Sequence, residues 1–203
     1  MLIKIYPQNP NPKEISKVVD LLNSGAVIIY PTDTVYGIGC GINFRKSIER
    51  ITRIQGVKQE MNLFSLICSD LSQISQYTRP IGNPTFKLLK RNLPGPFTFI
   101  LNANNKVPDL FKSKKQTVGV RIPNNQVILD IVSAFGSPVI TTSVHDDDQI
   151  VEYTTDPELI HERYKDQVDI VIDGGFGKNI ASTIVDCTDS EYFIIRQGIG
   201  ELV

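Results

Sequence analysis

Pro31-Thr32-Asp33-Thr34-Val35-Tyr36-Gly37-Ile38-Gly39-Cys40 follows directly on the apolar run Ala26 to Tyr30. The run is short, unbroken and rich in β-branched residues, as a buried strand is. Pro31 ends it, because proline donates no backbone N–H to a ladder. Two threonines and an aspartate then crowd a tight segment that carries two glycines. Small hydroxyl and carboxylate groups just past the C-terminal end of a strand are what an open α/β sheet uses to hold a polar ligand. The same groups can instead satisfy the loop's own backbone, and the two readings stand side by side at this stretch.

Working outward, strand and helix patterns intermix. Leu2–Tyr6 reads as a strand. Residues 12–24 read as a helix with Ile15, Val18, Val19 and Leu22 on one face, closed by Gly25. Residues 44–55 read as a second helix capped by Asn43, with Ile48, Ile51 and Ile54 inward. Strands follow at Leu63–Cys68, Phe97–Leu101, Val118–Ile122 and Val139–Thr142, with helices at Leu71–Tyr77, Pro84–Asn92 and Gln126–Ala134. A helix over Pro157–Tyr164, capped by Asp156, precedes strands at Val168–Ile172, Thr183–Asp186 and Tyr192–Ile195. The pattern predicts a single α/β domain over residues 1–203, a twisted mixed parallel and antiparallel sheet flanked by helices.

The composition fits a globular protein, with 41% hydrophobic and 21% charged residues in 203. No apolar run approaches the ~18 residues of a membrane span, so a cytoplasmic protein with no membrane partner is expected. Cys40, Cys68 and Cys187 are too widely spaced for a zinc site or a disulfide framework, and read as buried reduced thiols. The net charge of −1 hides an asymmetry: residues 1–121 hold 17 basic and 7 acidic side chains, residues 122–203 hold 4 and 15. Such a split marks either an anion-binding face or two halves that neutralise each other.

No G-x-S-x-G, Walker A or dinucleotide fingerprint occurs, and no catalytic triad can be assembled. Gly174-Gly175-Phe176-Gly177 lacks a following helix pattern and reads as a turn. Asp146-Asp147-Asp148 reads as a solvated loop, so no metal site is expected. The recurring chemistry is instead hydroxyls and arginines at strand ends: Thr34, Arg121, Thr141, Thr142, Ser143, Ser182, Thr183 and Arg196. Arginine offers a planar fork to a carboxylate or phosphate, and hydroxyls complete the contacts of a small polar ligand. Strand ends of an open sheet face a shared crevice, so Thr34, Thr117, Arg121, Thr141, Ser143, Ser182 and Arg196 are expected to converge.

Several segments, in order, carry a resemblance: Pro31 to Gly39, Pro94-Gly95-Pro96-Phe97-Thr98, Val118 to Pro123, Thr141-Thr142-Ser143, Asp173-Gly174-Gly175, Ser182 to Asp186, and Ile195-Arg196-Gln197-Gly198. Through them the chain resembles the YrdC/YciO-type family, which includes the threonylcarbamoyl-AMP synthases. The resemblance implies the YrdC-like fold and a concave face that binds ATP and L-threonine. In the synthases, bicarbonate and the threonine amine give a carbamate. The carbamate takes AMP from ATP and releases pyrophosphate, and the product feeds a tRNA modification beside the anticodon. By position, Thr34, Arg121, Thr141 and Ser182 match residues that hold threonine. Thr117, Ser143 and Arg196 match residues near the nucleotide. The resemblance implies no tightly bound cofactor, Mg only as the companion of ATP, and double-stranded RNA as a partner credited to some members.

The departures from the synthase pattern shape the expected activity. Synthases carry a Lys-x-Arg after the second helix, before a Pro-Leu strand start. Here Ile54-Gln55-Gly56-Val57 leads to Asn62-Leu63, so Gln55 stands at the Lys position and Val57 at the Arg position. Synthases also carry Ser-x-Asn where this chain has Ser143-Val144-His145. Two cations facing a triphosphate stabilise both its bound charge and the charge that develops on transfer. An amide and an isopropyl group do neither, while Arg53 and Lys58 are the neighbouring cations that could take over. The chain therefore looks closest to the YciO-like branch, with no assigned catalytic residue. Two functions are expected from it: a nucleotide- or RNA-binding relative with weak or absent synthase activity, or an active L-threonylcarbamoyladenylate synthase using ATP, L-threonine and bicarbonate.

Overall fold

Asn11 accepts a hydrogen bond from the Lys13 N–H at 3.0 Å, and Pro12 opens helix α1 (Pro12–Asn23) at the position where proline costs no hydrogen bond. The computed structural model describes residues 1–56, 64–108, 116–144 and 152–203, the side chains of 152 and 153 excepted. Within them the strands are β1 (Leu2–Lys4), β2 (Ile28–Tyr30), β3 (Gly37–Gly41), β4 (Ser65–Ile67), β5 (Phe97–Asn102), β6 (Thr117–Arg121), β7 (Val139–Ser143), β8 (Ile170–Asp173), β9 (Thr183–Asp186) and β10 (Phe193–Arg196). The other helices are α2 (Arg45–Ile54), α3 (Leu71–Tyr77), α4 (Asn83–Asn92), α5 (Gln126–Phe135), α6 (Glu152–Thr155) and α7 (Pro157–Tyr164).

The strands form one sheet in the order β1-β8-β2-β3-β7-β4-β6-β5-β9-β10. Pairing is mixed: β1 and β2 lie parallel to β8, β4 to β6 and β5 to β9, while the other neighbours are antiparallel. This is the mixed α/β sheet that the alternating pattern predicts. The apolar residues of the inner strands feed two cores, one on each face. On the first face, Ile15, Val18 and Leu22 of α1 and Val127, Ile128, Ile131 and Val132 of α5 bury Ile28, Ile67, Val139, Ile170 and Ile172. On the second, Ile48 and Ile51 of α2, Ile74 of α3, Leu88 and Leu89 of α4 and Ile160 of α7 cover Ile38, Leu66, Phe99, Val120, Ile140 and Val185. Cys40, Cys68 and Cys187 are free and buried, and burial pushes the Cys40 and Cys187 thiols up to about 12.

Several sequence expectations are corrected. The glycine-rich Gly37–Gly41 part of the tight segment after Pro31 is a fully buried strand, β3. Asn43 does not cap α2; Phe44 occupies that position and makes no side-chain cap. Glu152–Thr155 adds a one-turn helix with no sequence pattern to announce it. The strand expected over Leu63–Cys68 is observed as Ser65–Ile67. Val57, Lys58, Asn62, Leu63, His145 and Asp146-Asp147-Asp148 lie outside the described residues.

Helix α5 gives a first test. Asn125 caps its start through Val127 and Ile128, and Gly136 ends it at φ +73°, a conformation glycine adopts without strain. Gly136→Ala is expected to cost about 1 kcal/mol, lowering Tm by about 2–4 °C. Gly136→Asn should cost less, because asparagine tolerates that backbone. Thermal melts of the two variants check the order.

Candidate ligand-binding face

Cross-strand register places the hydroxyls and arginines. Gly37 pairs with Ser143, Gly39 with Thr141, Thr141 with Ser65, and Ser65 with Gly119. Side chains directly opposite one another share a face. Tyr30, Ser65, Thr117, Gly119, Arg121, Thr141 and Ser143 therefore point to the face that carries α1 and α5. Thr98 and Ser182 join them, their hydroxyls 2.9 Å apart between β5 and the start of β9. Helices α1 and α5 seal only part of this face. Beyond them Ser65, Ile100, Asn102, Thr117, Gly119, Ser143, Ile184 and Asp186 are half-buried, while the alternate residues Leu66, Phe99, Leu101, Val118, Val120 and Val185 are buried in the opposite core. The uncovered portion is mostly small-residued and polar, with Ile100 and Ile184 its apolar members.

The segment between β2 and β3 folds onto its edge, and its polar residues turn to different partners. Thr32 serves the loop: its hydroxyl donates to the Val35 carbonyl at 2.7 Å and accepts the Thr34 N–H at 3.0 Å. Thr34 faces across the sheet and accepts from Nη2 of Arg121 at 2.9 Å. Asp33 clamps the same guanidinium at 3.4 Å and accepts the Asn124 N–H at 3.0 Å. Burial pulls the Arg121 pKa down, opposed by the Asp33 carboxylate and by Tyr30; the Arg196 guanidinium lowers it further. An arginine keeps its charge under such a shift. Two guanidiniums thus lie within electrostatic reach of each other, and Asp33 pairs with the first of them. Nε of Arg121 is buried and has no hydrogen-bond partner among the described residues, an unusual state for a charged donor.

Arg196 donates from Nη2 to the Ser182 carbonyl at 2.8 Å, which ties β10 to the head of β9. The expected residues Thr34, Arg121, Thr141, Ser182, Thr117, Ser143 and Arg196 are therefore brought to one face. Gln55 is not brought there by any described contact; it caps α2, whose core residues Ile48 and Ile51 belong to the opposite face. Arg53 is exposed and donates back to the Glu49 carbonyl of its own helix at 3.4 Å. Sequence reasoning missed Tyr30, Ser65, Gly119 and Thr98. The alternation Phe97-Thr98-Phe99, one polar residue between two aromatics, is the signal that could have put Thr98 on the face.

The described side chains of this face suit the recognition of an anionic, polar ligand. The face supplies guanidinium and hydroxyl donors. Its lone carboxylate at the Arg121 end is committed, and the Cys40 thiol lies in the opposite core. Among the described residues no cluster of three or more His, Cys, Asp or Glu is placed to hold a metal ion. No helix among them is long and apolar enough to cross a membrane.

Comparison with known proteins identifies the family and the fold. The family profile Sua5/YciO/YrdC, described as telomere recombination, matches residues 20–198. YciO of Escherichia coli K12, an uncharacterised protein, is 38% identical over 200 residues, 98% of this chain and 95% of that one. Its crystal structure superposes with a TM-score of 0.91 over 99% of this chain and 97% of that chain. The threonylcarbamoyl-AMP synthase of Vibrio vulnificus YJ016 is 28% identical over 91% of this chain and 98% of its own length. Sua5 of P. abyssi, solved as a complex with L-threonine, shares the fold at a TM-score of 0.86 and 23% identity, over 98% of this chain and 57% of that one. With most of its length matched by the profile and nearly all of it by YciO, the chain belongs to the Sua5/YciO/YrdC family.

Proposed function

We propose that the uncovered face binds L-threonine and, beside it, ATP or another nucleotide, with weak or absent synthesis of threonylcarbamoyl-AMP. The reading is carried by Arg121: a buried guanidinium whose Nη2 is held by Thr34 and Asp33 while Nε has no partner among the described residues. A buried donor left unsatisfied is costly, more so when charged. A carboxylate laid on that free edge makes a charge-assisted bond and removes the cost. Thr34, Thr141 and Ser182 are the proposed companions of Arg121 around the amino acid. Thr117, Ser143 and Arg196 are the proposed contacts of the nucleotide, with Mg arriving on ATP and double-stranded RNA as a further partner of the same face. A synthase among the family relatives and a fold relative solved with L-threonine support the choice of amino acid.

The second reading, an active synthase consuming ATP, L-threonine and bicarbonate, rests on the same face and differs at the phosphate end. Gln55 and Val57 replace the Lys-x-Arg pair of the synthases, and this favours binding over turnover. Calorimetric titration is expected to show L-threonine binding that Arg121→Met weakens about 100-fold or more, the scale of a lost charge-assisted pair. Pyrophosphate release by the unaltered chain, with ATP, threonine and bicarbonate, is expected to be slow or undetectable. Robust release that depends on threonine and bicarbonate would establish the second reading instead.

A further inference from the structure

Tyr30 is fully buried at the end of β2, yet its phenol bonds a residue two strands away. The hydroxyl donates to Oγ1 of Thr141 on β7 at 2.5 Å, with β3 lying between the two strands. The ring can cross β3 because β3 offers no side chains there. A Cβ built on Gly37 would sit 2.9 Å from Tyr30 Cζ and 3.1 Å from Thr141 Oγ1, and one on Gly39 would sit 3.3 Å from Tyr30 Cε1. The alternating glycines of Gly37-Ile38-Gly39 are thus a trough that a tyrosine ring fills.

The proton arithmetic at Thr141 follows from this contact. A threonine hydroxyl has one proton and two lone pairs. The Tyr30 phenol occupies one lone pair, so the Thr141 proton cannot point at Tyr30. Its internal acceptors are the Ile38 and Thr142 carbonyls, both at 3.4 Å, well beyond the usual O–H···O length of about 2.7–2.8 Å. That proton is poorly used within the protein, on the face where Arg121 Nε also lacks a partner.

We infer that Tyr30 is a positioning residue, which fixes the Thr141 hydroxyl as a hydrogen-bond donor to the carboxylate of the bound amino acid. The inference rests on the threonine-binding reading above. Tyr30 touches no ligand; it acts through Thr141 alone. Arg121 supplies the charge and Thr141 the second donor, and the phenol decides that Thr141 donates rather than accepts. Without the phenol, the hydroxyl can turn either way and pays an ordering cost on binding.

The test compares Tyr30→Phe, Thr141→Val, Thr141→Ser and the double variant Tyr30→Phe/Thr141→Val in calorimetric titrations with L-threonine. Tyr30→Phe keeps the ring in its glycine trough and removes only the hydroxyl. It is expected to weaken threonine binding about 5- to 10-fold, the scale of one hydrogen bond. The double variant should bind no more weakly than Thr141→Val, because the phenol has no second route to the ligand. Thr141→Ser should retain most of the affinity and its dependence on Tyr30. Unchanged threonine affinity in Tyr30→Phe, or additive losses in the double variant, would overturn the inference while leaving the binding reading intact. Absence of threonine binding by the wild-type chain would overturn both.

Discussion

Asp33→Ala is expected to lower the unfolding free energy by about 3–5 kcal/mol, the usual cost of removing one member of a buried ion pair. Its side chain and that of Arg121 are only 9% and 8% exposed. Deleting the carboxylate leaves the guanidinium in a low-dielectric site with Thr34 as its remaining acceptor among the described residues, and deletes the acceptor of the Asn124 N–H as well. The loss comes from the uncompensated charge more than from the attraction itself, since a 3.4 Å contact is long for a charge-assisted bond. That distinction has a measurable consequence. Arg121→Met in the Asp33→Ala background should recover part of the stability, because it removes the stranded charge. Urea unfolding of the two single variants and the double variant reads this directly. A loss below about 1 kcal/mol for Asp33→Ala would mean that the pair behaves as a screened surface contact.

The same aspartate shows how far the sequence could be read. Its place past a buried strand left the Pro31–Cys40 stretch open between a ligand-holding segment and a loop that satisfies its own backbone, and that stretch does border the uncovered face. Which residue would face a ligand was not legible. Asp33 turns to Arg121 and Thr32 turns to its own loop, and only the fold, which sets Arg121 across the sheet, separates their roles. The main elements were legible because their patterns are local: apolar spacing for α1 and α5, β-branched runs for β2, β7 and β8. Strand β3 was not. Glycine is a poor strand former, and Gly37-Ile38-Gly39-Cys40-Gly41 reads as turn material. Its glycines are strand residues because of partners distant in sequence: the Tyr30 ring lies against Gly37 and Gly39, and Phe44 and Phe135 lie against Gly41. The convergence of Thr34, Arg121, Thr141 and Ser182 could be argued from strand ends. The uncovered half of the face could not, since it depends on where α1 and α5 stop.

The largest expected effect is on turnover. Installing Gln55→Lys and Val57→Arg together should raise pyrophosphate release by about 100-fold or more. One well-aimed electrostatic donor is worth roughly 2.7–4 kcal/mol of barrier where charge moves, and the synthase pattern places two here. Each single change should do much less than half the work, because both cations would serve one phosphate group, and such pairs are not additive. L-threonine affinity should stay within about twofold of wild type, since Arg121, Thr34 and Thr141 are untouched. This combination, a rise in rate at constant amino-acid affinity, separates restored phosphate chemistry from a general improvement in the face. Single-turnover assays with ATP, threonine and bicarbonate, run beside threonine titrations, supply both readings. If the unaltered chain already turns over rapidly, Gln55 and Val57 are not the gap they resemble. Arg53 and Lys58 then become the cations to remove, beginning with Arg53, whose guanidinium need only release the Glu49 carbonyl to be free. If the double variant stays silent although it binds ATP and threonine, the missing cations are not what limits transfer, and the departure at Ser143-Val144-His145 is the next to restore.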